Sequence, residues 1–288
     1  TNLFSREQTL VEKYGIEYLI LGVEELLNDL NTKALDSWRS EMSILTDSAF
    51  AEMISINNYN LNVFSHVVDK DVSAANKKLY QLYAEKSEWY QKFVQMVNEV
   101  NADKSIHFKK DILFLLRPYT YYVEKSIDEL LSTPLIKRIV GKEIKKCFVE
   151  HFAITAIEIA QKPIVLELNI DREKGELSGE SKEDRFKSFI DSFSSNSKLL
   201  SFYNKYIVLT RLLTDISLNY IKNAETLLKR IEENKDLLSS KFGITDFVLE
   251  KVKMGQGDTH GRGNTVTELV FKDSTKIIYK PKNVKIHK

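Results

Sequence analysis

The fold of this chain turns on Met254–Lys282, MGQGDTHGRGNTVTELVFKDSTKIIYKPK. Four of the chain's ten glycines fall between Gly255 and Gly263, and the residues on either side of them read as β-strands in an otherwise helical sequence. Glycine permits positive φ and close approach to the backbone, so a glycine-rich turn between two strands can wrap its amides around an anion. The expected strands are 245–254, 264–272 and 275–282. Asp273-Ser274 turns the chain between the last two, and Pro281 marks the end of regular pairing or an edge position. Alternation along the last strand puts Ile277 and Tyr279 on one face and Lys276, Ile278 and Lys280 on the other. Three antiparallel strands alone leave an edge and a face uncovered, so the sheet must lean on the helices or on further sequence.

Strand, glycine-rich turn, strand, turn and strand with a lysine is the order of a protein-kinase small lobe, where the turn covers ATP phosphates and the lysine pairs with them. A full G-x-G-x-x-G is missing here. On pattern alone, an ordinary hairpin loop stays open beside the nucleotide reading. Lys280 is the strongest single candidate, because a lysine at the end of the third strand can neutralise phosphate oxygens; the alternative is a solvent-facing strand lysine. Asp258 and His260 sit two positions apart in the turn, where a carboxylate hydrogen bond and an imidazole proton donor could act on a phosphate-bearing substrate, or could brace the turn. Arg262 could contact phosphate or peptide and Thr259 could cap the turn; both rank below that pair. Two ligands fall short of a zinc or magnesium site, so no metal ligand is assigned.

Upstream, residues 6–100 read as mainly helical, with charges alternating with apolar residues and no proline before Pro118. Ser5 to Gln8 reads as a helix N-terminus with a capping box. Leu79, Leu82, Tyr83, Trp89, Phe93 and Val97, with Tyr90 beside them, form an aromatic stripe expected in the core. His66, His107 and His151 belong to no metal-binding spacing. The pattern is less regular between Pro118 and Pro163, and the basic cluster from Lys137 to Lys146 is read as a solvated helix face that an acidic peptide segment could use. Asn169 to Asp184 is polar and linker-like, and Arg185 restarts a helix with Phe186, Phe189, Ile190 and Phe193 on one face. A long helix over about 199–240, with Tyr206, Leu209, Leu213, Ile216, Tyr220, Ala224, Leu227 and Ile231 in a stripe, stops at Gly243. The expected class is therefore mainly α with a short antiparallel β element: a helical domain over 1–243, then the first strands of a kinase-like small lobe over 244–288.

At 288 residues and 43% hydrophobic, the chain can bury a large core as one or two domains. With 42 Lys+Arg against 41 Asp+Glu, the charge of +1 gives no overall attraction to nucleic acid or to an acidic membrane. The single Cys147 excludes an internal disulfide, suits a reducing cytosol and reads as a small buried hydrophobe. No signal peptide is legible. Apolar runs are broken by Glu24, Glu158 and Pro163 well short of the ~20 residues of a membrane span. The expected location is cytoplasmic.

The wording of the segments carries more than their order. GDTHGRGNTV (Gly257–Val266), LVF (Leu269–Phe271), KIIYKPK (Lys276–Lys282) and the upstream REKGELSGESKEDRFKSF (Arg172–Phe189) together resemble the dehydratase domain of class II lanthipeptide synthetases, the LanM type. The resemblance runs from Arg172 to the end of the chain. It implies an enzyme that uses ATP to phosphorylate Ser or Thr of a lantibiotic precursor peptide, leader and core, and then eliminates phosphate to give dehydroalanine or dehydrobutyrine. Lys280, Gly257, Gly261 and Gly263 would hold the nucleotide and Asp258 and His260 would be catalytic, with ATP and Mg2+ as cofactors and an export transporter as a further partner. It also implies that this is the front part of a synthetase, preceding a kinase large lobe and a C-terminal cyclase that alone would carry Zn2+. A helical regulatory or interaction domain fused to another kinase-like small lobe is the alternative.

Overall fold

A computed structural model of the chain describes residues 30–41, 46–56, 60–68, 87–103, 108–256 and 263–281. Among these residues the protein is mostly helical, with a three-stranded antiparallel sheet near the end. Spatial contacts divide the chain into two units, Thr1–Gln91 with Lys205–Val208, and Lys92–Asn204 with Leu209–Lys288. The capping box expected at Ser5 lies outside the described residues, as do Leu79, Leu82, Tyr83 and His107.

In the first unit, helices α1 (Thr32–Glu41), α2 (Asp47–Ile56) and α3 (Leu61–Val67) gather a small core of Leu35, Phe50, Phe64 and Val68. Trp38 closes it, its ring edge-on to Phe64 at 5.2 Å.

The second unit is built on longer helices. Phe93 and Val97 of α4 (Glu88–Ala102) are buried, as the aromatic stripe predicts. Phe93 meets Tyr119 at the start of α5 (Arg117–Ser132) and Tyr203 at the end of α9 (Asn196–Lys205), with centroids 6.0 and 5.2 Å away. Both phenols are bonded: Tyr119 Oη donates to Thr210 O, and Tyr203 Oη donates to Leu115 O at 2.6 Å. Pro118 sits in the first turn of α5, where its missing N–H costs nothing.

Several expectations upstream of the sheet change. Helix α7 runs unbroken for 30 residues, Ile144–Glu173, straight through Pro163. Its buried stripe, Phe148, Phe152, Ala156, Ala160, Ile164, Glu167 and Asp171, contains two alanines and two acids, which is why it reads as irregular. Asp171 tolerates burial because Lys198 Nζ stands 2.9 Å away. The polar linker therefore shrinks: α7 extends to Glu173, and α8 (Lys182–Ser192) begins before Arg185. Ser181 caps α8, accepting from Asp184 N at 3.0 Å, while the Asp184 carboxylate accepts from Ser181 N. Phe189, Ile190 and Phe193 are buried, but Phe186 is exposed. The basic cluster is not one helix face either. It spans the short helix α6 (Pro134–Lys137), a turn-rich strap and the start of α7, with Lys145 bonded to Asp128 and Glu124. Cys147 is half-buried, more open than the small core residue expected.

The single long helix expected over 199–240 is three: α9, α10 (Ile207–Glu233) and α11 (Lys235–Phe242). Thr210 Oγ1 donates to Tyr203 O at 2.6 Å, taking up a carbonyl at the first break. Along α10 the stripe holds for Leu209, Leu213, Ala224, Leu227 and Ile231, while Ile216 and Tyr220 are half-buried. Thr210, Thr214 and Ser217 are buried among them, the last two hydroxyls bonding to carbonyls four residues back. Gly243, with φ 67°, ends α11 where the sequence signals a stop.

Strands β1 (Leu249–Lys253), β2 (Thr267–Phe271) and β3 (Lys276–Tyr279) pair antiparallel in the order β1-β2-β3, within the segments expected. The β2–β3 turn is fixed by Asp273, which accepts from Thr275 N at 3.0 Å and from Thr245 N at 2.6 Å. These bonds, the one from Thr275 N first, hold its carboxyl well below the usual carboxylate range. The outer edge of β1 is covered by the strap after α6: Leu249 N donates to Ile139 O and Gly141 N donates to Leu249 O, both at 2.8 Å. Leu249, Val252, Leu269 and Phe271 are buried on the inner face of the sheet, with the Phe247 ring 4.8 Å from that of Phe271.

Phe271→Ala is expected to cost about 3–5 kcal/mol, the range for deleting a fully buried aromatic ring. Urea denaturation of the two proteins measures it. A loss below about 1 kcal/mol would mean that the ring does not belong to a packed core.

Candidate functional site

The glycine-rich turn is pinched shut at its base. Gly255 N donates to Thr265 Oγ1 at 3.1 Å and Gln256 N donates to Val266 O at 3.0 Å. Gly255 and Gly263 flank this closure with φ 74° and 78°, backbone that favours glycine. Gly263 is thus found where the turn rejoins the sheet. Gly257, Asp258, Thr259, His260, Gly261 and Arg262 lie outside the described residues.

Lys280 is the first residue past β3 and is exposed. Register and burial confirm the alternation: Ile277 and Tyr279 face inward, whereas Lys276 and Ile278 face outward, with Lys280 next in step. Across the sheet, Ile278 pairs with Glu268, Glu268 with Lys253, and Val270 with both Lys276 and Lys251. The outer face therefore carries Lys251, Lys253, Lys276 and Lys280 around Glu268. Lys253 Nζ lies 2.7 Å from Glu268 Oε1 and holds that carboxyl below its ordinary value. Ile278 stands on this basic face with 52% of its surface exposed.

The inner side holds a different feature. A cavity of about 40 Å3 lies between α7, α10 and the hairpin, bordered by His151, Tyr220, Asn223, Met254, Gly263 and Tyr279 among others. That volume suits a water or two and is far too small for a nucleotide. Tyr220 Oη donates to Phe148 O at 2.8 Å, and burial holds its phenol well above the ordinary range. With that proton committed, His151 Nδ1 donates in the 3.3 Å contact with Tyr220 Oη, the rings stacking at 5.8 Å. Nε2 faces Gly255, lying 3.6 Å from where a Cβ would stand.

His151, Tyr220 and Tyr279 are the residues around the turn that sequence reading did not single out as a group. Tyr220 is 69 positions from His151, so no local spacing announces the pair. Only the inward phase of Tyr279 was legible. Among the described residues, no group of three or more His, Cys, Asp or Glu converges as a metal site.

Burial lowers the His151 pKa below 6.5, with Glu158 opposing in part. The unfolded chain therefore takes up this proton at higher pH than the folded protein does. Stability should fall as pH drops below about 6.5 and level off beneath the folded pKa. His151→Gln is expected to flatten the decline between pH 7 and pH 5 in urea denaturation series; identical slopes would assign the acid sensitivity to other groups.

A family model described as a domain of unknown function, DUF4135, matches residues 206–288, which take in α10, α11 and the whole sheet. No curated protein matches the chain. No helix among the described residues is long and apolar enough to cross a membrane.

Proposed function

We propose that this chain belongs to a lanthipeptide synthetase dehydratase and that the outer face of its sheet is the nucleotide-binding wall of a kinase-like small lobe. The observation that carries the reading is the shared outward phase of Lys280 and Ile278. ATP needs an apolar surface for its base and a cation for its phosphates, and this face offers both two residues apart. The domain matched over 206–288 is one found in LanM-type lanthipeptide synthetases, which supports the substrate class.

ATP supplies the phosphoryl group. Lys280 would meet its phosphate oxygens, Ile278 and Val270 would meet its base, and the pinched glycine-rich turn would bring backbone amides over the phosphates. In the reaction so proposed, a Ser or Thr hydroxyl oxygen of a precursor peptide bonds to the γ-phosphorus. The bridging oxygen leaves with ADP and the hydroxyl proton goes to a base. Loss of the α-proton and of phosphate then forms the alkene of dehydroalanine or dehydrobutyrine. Phosphorylation makes this elimination feasible by replacing a poor leaving group, hydroxide, with a good one. Asp258 and His260 are the proposed acid–base pair at the turn. No group of three or more His, Cys, Asp or Glu converges among the described residues, so magnesium would come with the nucleotide phosphates rather than sit in a protein cage of its own. The proposed setting is cytoplasmic, with a precursor peptide as partner.

The test is mass spectrometry of a precursor peptide incubated with ATP, magnesium and the full-length protein. Successive losses of water are expected, and Lys280→Ala should reduce them at least about a hundredfold, as for loss of a phosphate-neutralising group, while leaving the helical circular dichroism unchanged. Dehydration by Lys280→Ala with near-normal ATP dependence would reject the assignment. ATP binding without dehydration would favour a regulatory helical domain on another kinase-like lobe.

A further inference from the structure

Tyr279 is the last residue of β3 to pair, opposite Thr267, and it immediately precedes Lys280. Its ring turns inward to the cavity that Ala224 and Leu227 of α10 also border. Its hydroxyl accepts a hydrogen bond from Arg230 Nη1 at 2.5 Å. Two residues further along α10, Glu232 pairs with Arg138, in the strap whose neighbouring Ile139 and Gly141 bond to Leu249 of β1. The last turns of α10 thus reach both outer strands of the sheet, β3 through Arg230 and the edge of β1 through Glu232.

A strand of four residues at a sheet edge frays readily, most of all at its end. Tyr279 is held there at two levels, by its backbone on β2 and by its hydroxyl on α10. Because successive residues of a strand point to opposite faces, fixing the inward direction of Tyr279 fixes the outward departure of Lys280. Arg230 is itself exposed, so its side chain fills no core space that would explain the contact.

We infer that Arg230 is a positioning residue for Lys280, acting through the Tyr279 hydroxyl. The inference rests on the reading of Lys280 as the phosphate-binding lysine. It ties the nucleotide wall to the helix beneath it, so that movement of α10 would change the aim of the lysine.

The experiment compares the 288-residue chain with Tyr279→Phe, Arg230→Met and Arg230→Lys, reading amide hydrogen exchange at 276–280 without nucleotide and the Kd for MgATP. Tyr279→Phe and Arg230→Met are expected to speed exchange at Ile278 to Lys280 and to weaken MgATP binding by about tenfold, the size of one charge-assisted hydrogen bond. Arg230→Lys should restore part of both, and melting should change little in every variant. Unchanged exchange would overturn the inference, and so would faster exchange with unaltered MgATP affinity. If the wild-type chain fails to bind MgATP while exchange responds to the variants, the strut stands and the nucleotide reading falls.

Discussion

The sheet depends on two backbone hydrogen bonds. Leu249 donates to Ile139 and accepts from Gly141, and through them a three-stranded sheet too small to be stable alone gains a covered edge. Leu249 has no exposed surface, and its neighbours on the inner face, Val252, Leu269 and Phe271, are buried with it. The strap carrying Ile139 and Gly141 leads directly into α7, whose residues Phe148 and His151 line the underside of the hairpin. The short parallel bridge covers the edge, and the buried side chains of Leu249, Val252, Leu269 and Phe271 mark the inner face.

Once the inner face is fixed, the outer one follows by alternation. The lysines at 251, 253, 276 and 280 cannot turn toward the helices without unpairing the strands, and Ile278 is held among them on the outer surface. This face joins several cations to an exposed apolar side chain, the two chemistries that the proposed nucleotide would use. The cavity on the other side serves packing. Its polar groups are committed to one another, Tyr220 to Phe148 and His151 to Tyr220, and its volume leaves room for little beyond water.

What the sequence made legible was local. Alternation in KIIYK sorted Lys280 from Tyr279, and Asp273-Ser274 and Gly243 marked a turn and a helix end through preferences of single residues. The α7 stripe was obscured because two alanines and two acids occupy its buried positions, and the charge of Asp171 is answered only by Lys198, 27 residues later. The breaks on either side of α10 were missed because no glycine or proline punctuates them; the first involves a threonine hydroxyl bonding back to a carbonyl. The strap over β1 and the contact of His151 with Tyr220 join segments about 70 to 110 residues apart, and periodicity carries no information at that range.

The proposed division between an outer nucleotide face and an inner packing face is tested most directly by methyl and amide NMR of the 288-residue chain titrated with MgATP. The Ile278 methyl and the Lys280 amide should shift in a saturable manner, while the Leu269 methyls and the His151 ring signals stay nearly still. Shifts confined to His151, Tyr220 and Leu269, or no saturable shift at Ile278, would contradict the assignment of the outer face as the nucleotide wall.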